Sequence, residues 1–412
     1  MVDTSSGNAP HRQRKKILFI AEAVTLAHVG RPLALASSLS PALYDVHFAC
    51  APGYEFCFVH SDFPVWPISS IASAQFLHAL AAGTPVYDEA TLERYVEDDM
   101  LLLDKVKPDL VIGDFRLSLS VSARLARVRY AALVNAYWSP YAQQHYTVPN
   151  LPLTRVLPIG VANLLFRLVA PHVFRAHTVP LNRVRRTFGL PPLAPDLRLT
   201  YTDADDTWYA DLPALVPLHD LPPRHAYLGP VVWSPPLAPP PWWDSLPADV
   251  PLVYVTLGSS GQGQLLPRVL EALAPLPLVV LAATAGNVDI THVPANARVA
   301  AFLPGDLAAR RAALVICNGG SPTSHQALQA GVPLIGIASN LDQFLNMDGI
   351  VRSGAGLLLR ADRYSHAALQ TAVNTLLRQP AARQAAQKLA AQFTQFDAAE
   401  RLRVLLHSVF GR

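Results

Sequence analysis

An α/β fold built from two doubly wound parallel-sheet units is predicted by three observations. Short, fully apolar runs alternate with helical stretches, the pattern of parallel strands covered on both faces. That alternation runs its course and then restarts in the second half of the chain. A proline-dense stretch separates the two rounds. Composition agrees with this reading: 412 residues, 51% apolar and only 15% charged, supply enough apolar material for two sizeable cores. The same figures exclude a disordered, acidic chain. With 21 glycines and no three-residue period, the 37 prolines do not indicate collagen.

The first round opens with strand 17–20 (ILFI), followed by a helix through 31–39 and a strand near 46–49. Strand 110–113 (LVIG), helix 118–127 and strand 131–135 continue it. Residues 229–243 then carry a proline density that neither a helix nor a central strand tolerates, so they form a semi-rigid connector. The second round comprises strand 251–257, helix 265–273, strands 278–282, 299–302 and 314–317, helix 322–330 and strand 333–337. Residues 366–411 read as amphipathic helices rich in alanine, leucine and arginine. The resulting organisation is a leader 1–15, a first domain 16–228, a linker 229–250, a second domain 251–390 and a terminal helix 391–412 that packs back on the first domain.

Net charge is +3, too weak and too dispersed for a nucleic-acid binder. The one basic run, 11–16, reads as a solvated leader. Three cysteines, Cys50, Cys57 and Cys317, with no CxxC pair, argue for a reducing, cytoplasmic compartment and against a zinc site. No secretory signal is visible. The uncharged runs 272–288 and 312–341 are broken by Pro, Gly, Asn or Ser, so they read as strand–loop–helix units rather than membrane spans. Residues 158–177 form an amphipathic helix interrupted by Arg167 and Arg175. It is either an ordinary core-facing helix or a surface helix that lines an apolar pocket or touches the inner membrane surface.

The most informative segment runs from Cys317 to Pro333. Gly319 and Gly320 allow a tight turn after an apolar strand, Ser321 is a good N-cap and Pro322 suits the first helical position. Gly331 and Pro333 end the helix. A helix start at the C-terminal edge of a parallel sheet is an anion site at the place where such sheets bind ligands. A second glycine-rich turn, 258–263, follows strand 251–257 but is neither GxGxxG nor a P-loop.

With Asp342, Gln343 and Asn346 added, segment 318–346 resembles the donor-site motif of the UDP-glycosyltransferases, which include plant, macrolide and antibiotic enzymes. Gly319, Gly320, Thr323, Ala327, Leu328, Gly331, Val332, Pro333, Asp342, Gln343 and Asn346 stand in matching order. The resemblance spans residues 17–400 and implies the GT-B fold, two Rossmann-like domains facing a central cleft. It further implies that Ser259, Asn318, Gly319, Gly320, Ser321 and Thr323 hold the donor diphosphate. Phe302 and Leu303 would read the base, Gln326 the ribose, and Asp342 and Gln343 the sugar. Two departures stand out: Asn318 replaces the family histidine, giving up a positive charge, and Pro322 replaces a glycine, removing one N–H.

Glycosyl transfer to an alcohol needs a base near the hydroxyl, and histidine suits that task near neutral pH. Segment 27–36 resembles the family loop that carries the base, which assigns that role to His28. Asp114, after strand 110–113, aligns with the carboxylate that orients it. The resemblance implies inverting transfer from a UDP- or dTDP-sugar without metal or other cofactor, to a small apolar or lipid-like hydroxylated acceptor, by a monomer or homodimer. Asp203-Ala204-Asp205 is a DxD triplet in a polar loop and is read as a chance match, not a metal site. His172 and His177, five residues apart, are read as structural. Competing readings are a nucleotide-sugar epimerase or hydrolase on the same fold, and a non-catalytic nucleotide-sugar-binding partner.

Overall fold

A computed structural model describes residues 14–258, 262–286 and 288–411. Ser259 and most of the leader, including the first half of its basic run, lie outside the described residues. The first sheet contains β1 (Lys15–Ala21), β2 (Tyr44–Cys50), β3 (Val65–Pro67), β4 (Leu110–Asp114), β5 (Arg129–Val134), β6 (Asp206–Tyr209) and β7 (His225–Tyr227). Its order is β3-β2-β1-β4-β5-β6-β7. The second contains β8 (Leu252–Thr256), β9 (Val279–Ala283), β10 (Ala297–Ala300), β11 (Leu314–Cys317), β12 (Leu334–Ala338) and β13 (Gly356–Arg360), in order β10-β9-β8-β11-β12-β13. All pairings within both sheets are parallel.

The central strands are apolar along their length because both faces are covered. β4 and β8 are buried throughout, and Ile17, Leu18, Phe19 and Ile20 of β1 are fully buried. Strands β3, β6, β7 and β13 escape a hydropathy reading because they are short or lie toward an edge. Charged or polar residues such as Asp206 and His225 also interrupt them.

The order in which strands are laid down reverses between β1 and β4 in the first sheet, and between β8 and β11 in the second, with every strand still parallel. These are the switch points at which open α/β sheets form crevices.

The helix after β1 begins at Leu26, not at Arg31, and runs to Ser37 with Pro32 inside it. Thr25 is extended at the helix entry, and Val29, Leu33 and Ala36 bury one face at helical spacing. Pro32 stands mid-helix, where it gives up the bond to the His28 carbonyl and its ring crowds that carbonyl, a cost offset by the buried face around it. In consequence His28 sits in a helical first turn rather than in a loop. The amphipathic segment near 158–177 is likewise a longer helix, Ile159–Thr187.

The chain passes between the halves twice. Residues 229–242 run out of the first sheet without regular structure, and a short 3-10 turn, Trp243–Ser245, follows. The final helix, Ala398–Phe410, returns to the first half, where Leu402 and Leu406 are buried in one cluster with Ile17, Phe19 and Val29. Arg129 Nη1 donates to the Val409 carbonyl at 2.9 Å, fixing its end. The two passages touch at Gly229, whose φ is +96°; a Cβ there would lie 2.2 Å from the Phe396 carbonyl oxygen. Gly30 serves similarly, since a Cβ would strike the linker's Trp233 at 2.3 Å.

Candidate active site

A cleft of about 520 Å³ lies between the two sheets and takes walls from both. The first half supplies His28, Arg31, Phe115 and Trp138, and the second Phe302, Asn318, Ser321, Thr323 and Asp342.

His28 stands in the first turn of the helix that follows β1, and Asp114 ends β4; these two strands flank the first switch point. His28 Nδ1 is 2.9 Å from Asp114 Oδ1. Asp114 is fully buried and is also gripped by Arg31, whose Nε and Nη2 donate to its two oxygens at 2.6 and 2.7 Å. Burial alone would raise the Asp114 pKa. The adjacent Arg31 charge and its bonds, aided by His28, nevertheless hold it below the usual carboxylate range. An ionised carboxylate only accepts hydrogen bonds, so Nδ1 of His28 carries the proton and Nε2 is left as the basic nitrogen. Phe115 packs on the imidazole, with ring centroids 4.9 Å apart. Its φ of +58° is unusual for a bulky residue and is the kind of local strain that accumulates at functional sites.

Arg31 is a residue that the sequence reading missed. It is three positions after His28 and so shares its helical face. The signal was present but depended on recognising that the helix starts before His28. Arg31 Nη1 donates to Asn135 Oδ1 at 2.8 Å, and Asn135 Nδ2 donates onward to Asp211 at 3.3 Å. Asp211 also accepts the Ala136 amide at 2.6 Å, and its other oxygen faces Nε2 of buried His325 at 3.5 Å. His325 lies on the helix Ser321–Gln329 of the second half.

That helix follows β11, and its first turn opens on the cleft. Gly319 has a φ of +82°, and a Cβ there would come within 2.8 Å of Met347. Asn318 Oδ1 accepts the Gly320 amide at 3.0 Å, an Asx turn that rigidifies the loop. The Gly319 amide is drawn to Cys317 Sγ at 3.3 Å. Two of the amides expected to bind diphosphate are therefore engaged within the loop, and Gly319 itself does not line the cleft. Ser321 and Thr323 line the cleft, and their first-turn amides are the remaining candidates for an anion. Asn346 clasps the loop from behind, donating to the Gly319 carbonyl at 2.7 Å and Ser324 Oγ at 2.9 Å.

The remaining sequence-assigned residues divide. Phe302 is exposed and Leu303 buried beside it, both lining the cleft. Gln326 lines it too, but its Nε2 donates to the linker at Trp233 O and Ser234 Oγ, 2.9 and 3.0 Å away. Its amide donors are thus spent on holding the linker, and only its carbonyl remains for a ribose.

Asp342 lines the cleft and accepts a bond from Trp138 Nε1 at 2.7 Å, across the divide between the halves. Desolvation pushes its carboxyl up, against the lowering pull of Trp138 and His28. Gln343 does not face the cleft. It is buried, and its Oε1 accepts the Ser339 amide at 2.8 Å in a capping box closed by Asn340. Its expected sugar contact is replaced by a role in starting the helix Leu341–Arg352.

The DxD triplet is occupied structurally. Asp203 binds Arg124 and Arg185 at 2.7 and 2.5 Å, and Asp205 accepts the Tyr130 amide at 2.9 Å. His177 Nδ1 donates to the Val173 carbonyl at 2.8 Å, as a helix-internal contact.

Residues 268–398 match the family described as Erythromycin biosynthesis protein CIII-like, C-terminal domain. The chain is 52% identical over 391 residues to a PGL/p-HBAD biosynthesis rhamnosyltransferase of Mycobacterium bovis (strain BCG / Pasteur 1173P2). That match covers 95% of this chain and 86% of the relative. It is 50% identical over 384 residues to a PGL/p-HBAD biosynthesis glycosyltransferase of Mycobacterium tuberculosis (strain ATCC 25177 / H37Ra), covering 93% and 90%. Among solved structures, Spinosyn Forosaminyltransferase SpnP superposes with a TM-score of 0.70 at 20% identity, covering 97% of this chain and all of that one. At that identity the likeness speaks for the fold alone.

Proposed function

The chain belongs to the GT-B glycosyltransferases, and from that premise we propose that it carries out inverting, metal-independent transfer from a nucleoside diphosphate sugar to a hydroxyl of a lipid-like acceptor of the PGL/p-HBAD class. The observation that carries the mechanism is the pairing of buried Asp114 with His28 across the cleft from the helix start at Ser321. Nε2 of His28 takes the acceptor proton while the acceptor oxygen attacks the anomeric carbon. The bond from that carbon to the diphosphate oxygen breaks through an oxocarbenium-like state. Asp114 holds the imidazole in one tautomer and stabilises the imidazolium as it forms. The leaving diphosphate is met by the first-turn amides and hydroxyls of Ser321 and Thr323.

The acceptor class rests on the names of the 50–52% identical relatives and on the aromatic wall of the cleft. Phe76, Phe115, Tyr201 and Trp138 line it, and their rings pack on one another. A dTDP- or UDP-linked deoxyhexose is the donor to test first, since one of those relatives is a rhamnosyltransferase.

A panel of nucleotide sugars tests the donor site through thermal shifts. Ligand at 100 times its Kd stabilises by about 2.7 kcal/mol. Transfer is then followed with the stabilising donor and a hydroxylated aromatic acceptor. His28→Ala is expected to lower kcat by about 10²–10⁴-fold and keep the donor-induced shift. Full transfer by that variant would overturn the mechanism. Release of free sugar at the same rate with and without acceptor would make the protein a hydrolase.

A further inference from the structure

The helix Ile159–Thr187 is long and apolar enough to cross a membrane, yet one of its faces is glued to the protein. Ala162, Ala170, Phe174, Thr178, Leu181 and Val184 are buried at spacings of three, four and eight. The opposite face is bare. Val161, Leu164, Leu165, Leu168 and Val169 are 40–66% exposed and share one side of the helix at i, i+3, i+4, i+7 and i+8. Of the nineteen large apolar side chains left exposed among the described residues, eight fall between Leu153 and Val179. A monomeric surface rarely concentrates them so.

Charge follows the same segment. From Phe115 to Pro195 the chain has ten arginines and no Asp, Glu or Lys, although the whole protein is only +3. Several of these arginines are paired internally. Arg155, Arg167, Arg175 and Arg186 are exposed and make no ion pair among the described residues. Arg175 and Arg186 extend the bare face toward the helix C-terminus, so one side is apolar first and basic afterwards. Asp362, which meets the adjoining segment 152–156 at Thr154, is held by Arg360 and Thr154.

We propose that this face docks the protein on an anionic lipid surface, with the helix lying in the interface plane. An amphipathic helix with apolar and arginine residues on one exposed side binds there through both buried area and headgroup charge. Its inner face reaches the cleft through a single layer of side chains. Phe174 packs on Tyr146 and Trp138, with centroids 5.3 and 6.4 Å apart, and Trp138 lines the cleft. Docking would therefore bring the acceptor side of the cleft to the bilayer, a consequence that rests on the lipid-like acceptor proposed above.

The test is co-sedimentation of the full chain with vesicles of phosphatidylcholine alone or mixed equally with phosphatidylglycerol. Binding to the mixed vesicles, weakened by salt, is expected. Leu164→Gln with Leu168→Gln should reduce the partition coefficient by about tenfold or more. Arg155→Gln with Arg175→Gln should reduce it by about 25-fold, at about fivefold per arginine. Both pairs lie on the surface and should retain transfer to a water-soluble acceptor. An absence of transfer would sink the catalytic reading while leaving vesicle binding to be judged by itself. The proposal is overturned if the wild-type chain ignores anionic vesicles or if both variants bind as it does. It is also overturned if the chain is a dimer in solution that Leu164→Gln with Leu168→Gln converts to monomer, for then a second copy covers the face.

Discussion

Replacing Arg31 by glutamine should change the pH dependence of transfer more than its maximum. Arg31 forks both oxygens of Asp114 at 2.6 and 2.7 Å, so the two charge centres lie about 4 Å apart. At an effective dielectric of about 20 that attraction is about 4 kcal/mol, the largest influence holding the buried carboxylate ionised against desolvation. Glutamine keeps a donor and removes the charge. Asp114 is then buried with only His28 to balance it, so a proton is retained on the Asp114–His28 pair to higher pH. Since transfer requires Nε2 of His28 free, the acid limb of kcat/KM should move up by about one pH unit. Activity at pH 6 should fall several-fold more than activity at pH 8.5.

Stability provides the control. Removing one partner of a buried ion pair costs about 3–5 kcal/mol, so Arg31→Gln should also melt earlier, and rates must be taken well below its Tm. Arg31→Lys retains the charge but loses the fork, and should recover most of the acid limb while its kcat stays reduced. A uniform drop in rate at every pH, with the limb unmoved, would refute the reasoning and reduce Arg31 to a structural strut.

Three further outcomes follow from the same contacts. Asp342→Asn keeps an acceptor for Trp138 and removes a carboxylate whose pKa burial has raised. A raised acid loses stability as pH climbs from its unfolded pKa through its folded pKa, so melting curves should show this variant gaining more at about pH 8 than below the ordinary carboxylate range, near about pH 3.5, while donor turnover falls roughly tenfold or more. Asn318→Ala releases the Gly320 amide from its Asx turn; the donor KM should rise about fivefold, in line with a hydrogen bond of about 1 kcal/mol, with kcat nearly unchanged. Gly229→Ala places a side chain at a φ of +96° and against the Phe396 carbonyl, and urea midpoints should report a loss of at least about 2 kcal/mol.

Much of this was legible in the sequence, for identifiable reasons. Buried parallel strands are continuous apolar runs, so β1, β4, β8 and β11 declare themselves, and with them the strand ends that carry His28, Asp114 and Asn318. Glycine and proline punctuation exposes this helix start to within one residue: Gly320 rather than Ser321 is the N-cap, and Ser321 and Pro322 are the first two helical residues.

What escaped is what depends on side-chain direction. The spacing of His28 and Arg31 carries meaning only once the helix is known to begin at Leu26. Trp138 reaches Asp342 across 204 positions, beyond any local pattern. Gln343 is a different case: Asn340 followed three residues later by Gln343 is a capping-box signature, and the match of the Asp342-Gln343 pair to the family motif assigned it to the sugar instead. The DxD triplet shows the converse, because the arginines that occupy Asp203 come from positions 124 and 185.

The cross-cleft contacts bear on why such a site would transfer a sugar rather than hydrolyse its donor. Asp342 comes from one half and its Trp138 partner from the other, so that wall of the cleft is complete only when the halves are together. The Asn150 amide donates to the Ser339 carbonyl at 2.8 Å, and Arg360 Nη1 donates to the Val148 carbonyl at 2.7 Å, holding the loop after Trp138 to the second half. From the dyad, Arg31, Asn135 and Asp211 lead to His325 on the helix whose first turn faces the diphosphate position. The hydrogen bonds from the proposed base thus reach Asp211, and its remaining oxygen stands 3.5 Å from His325 without a hydrogen bond closing the gap to the helix at the proposed leaving-group site. A donor seated against Ser321 and Asp342 would meet His28 beside a wall of aromatic rings on the proposed acceptor side. Substrates that fill this cleft would displace water from it, strengthening the Asp114–His28 pairing and withholding the competing nucleophile. For that purpose the net charge of the protein matters little, and the fit between its two halves matters a great deal.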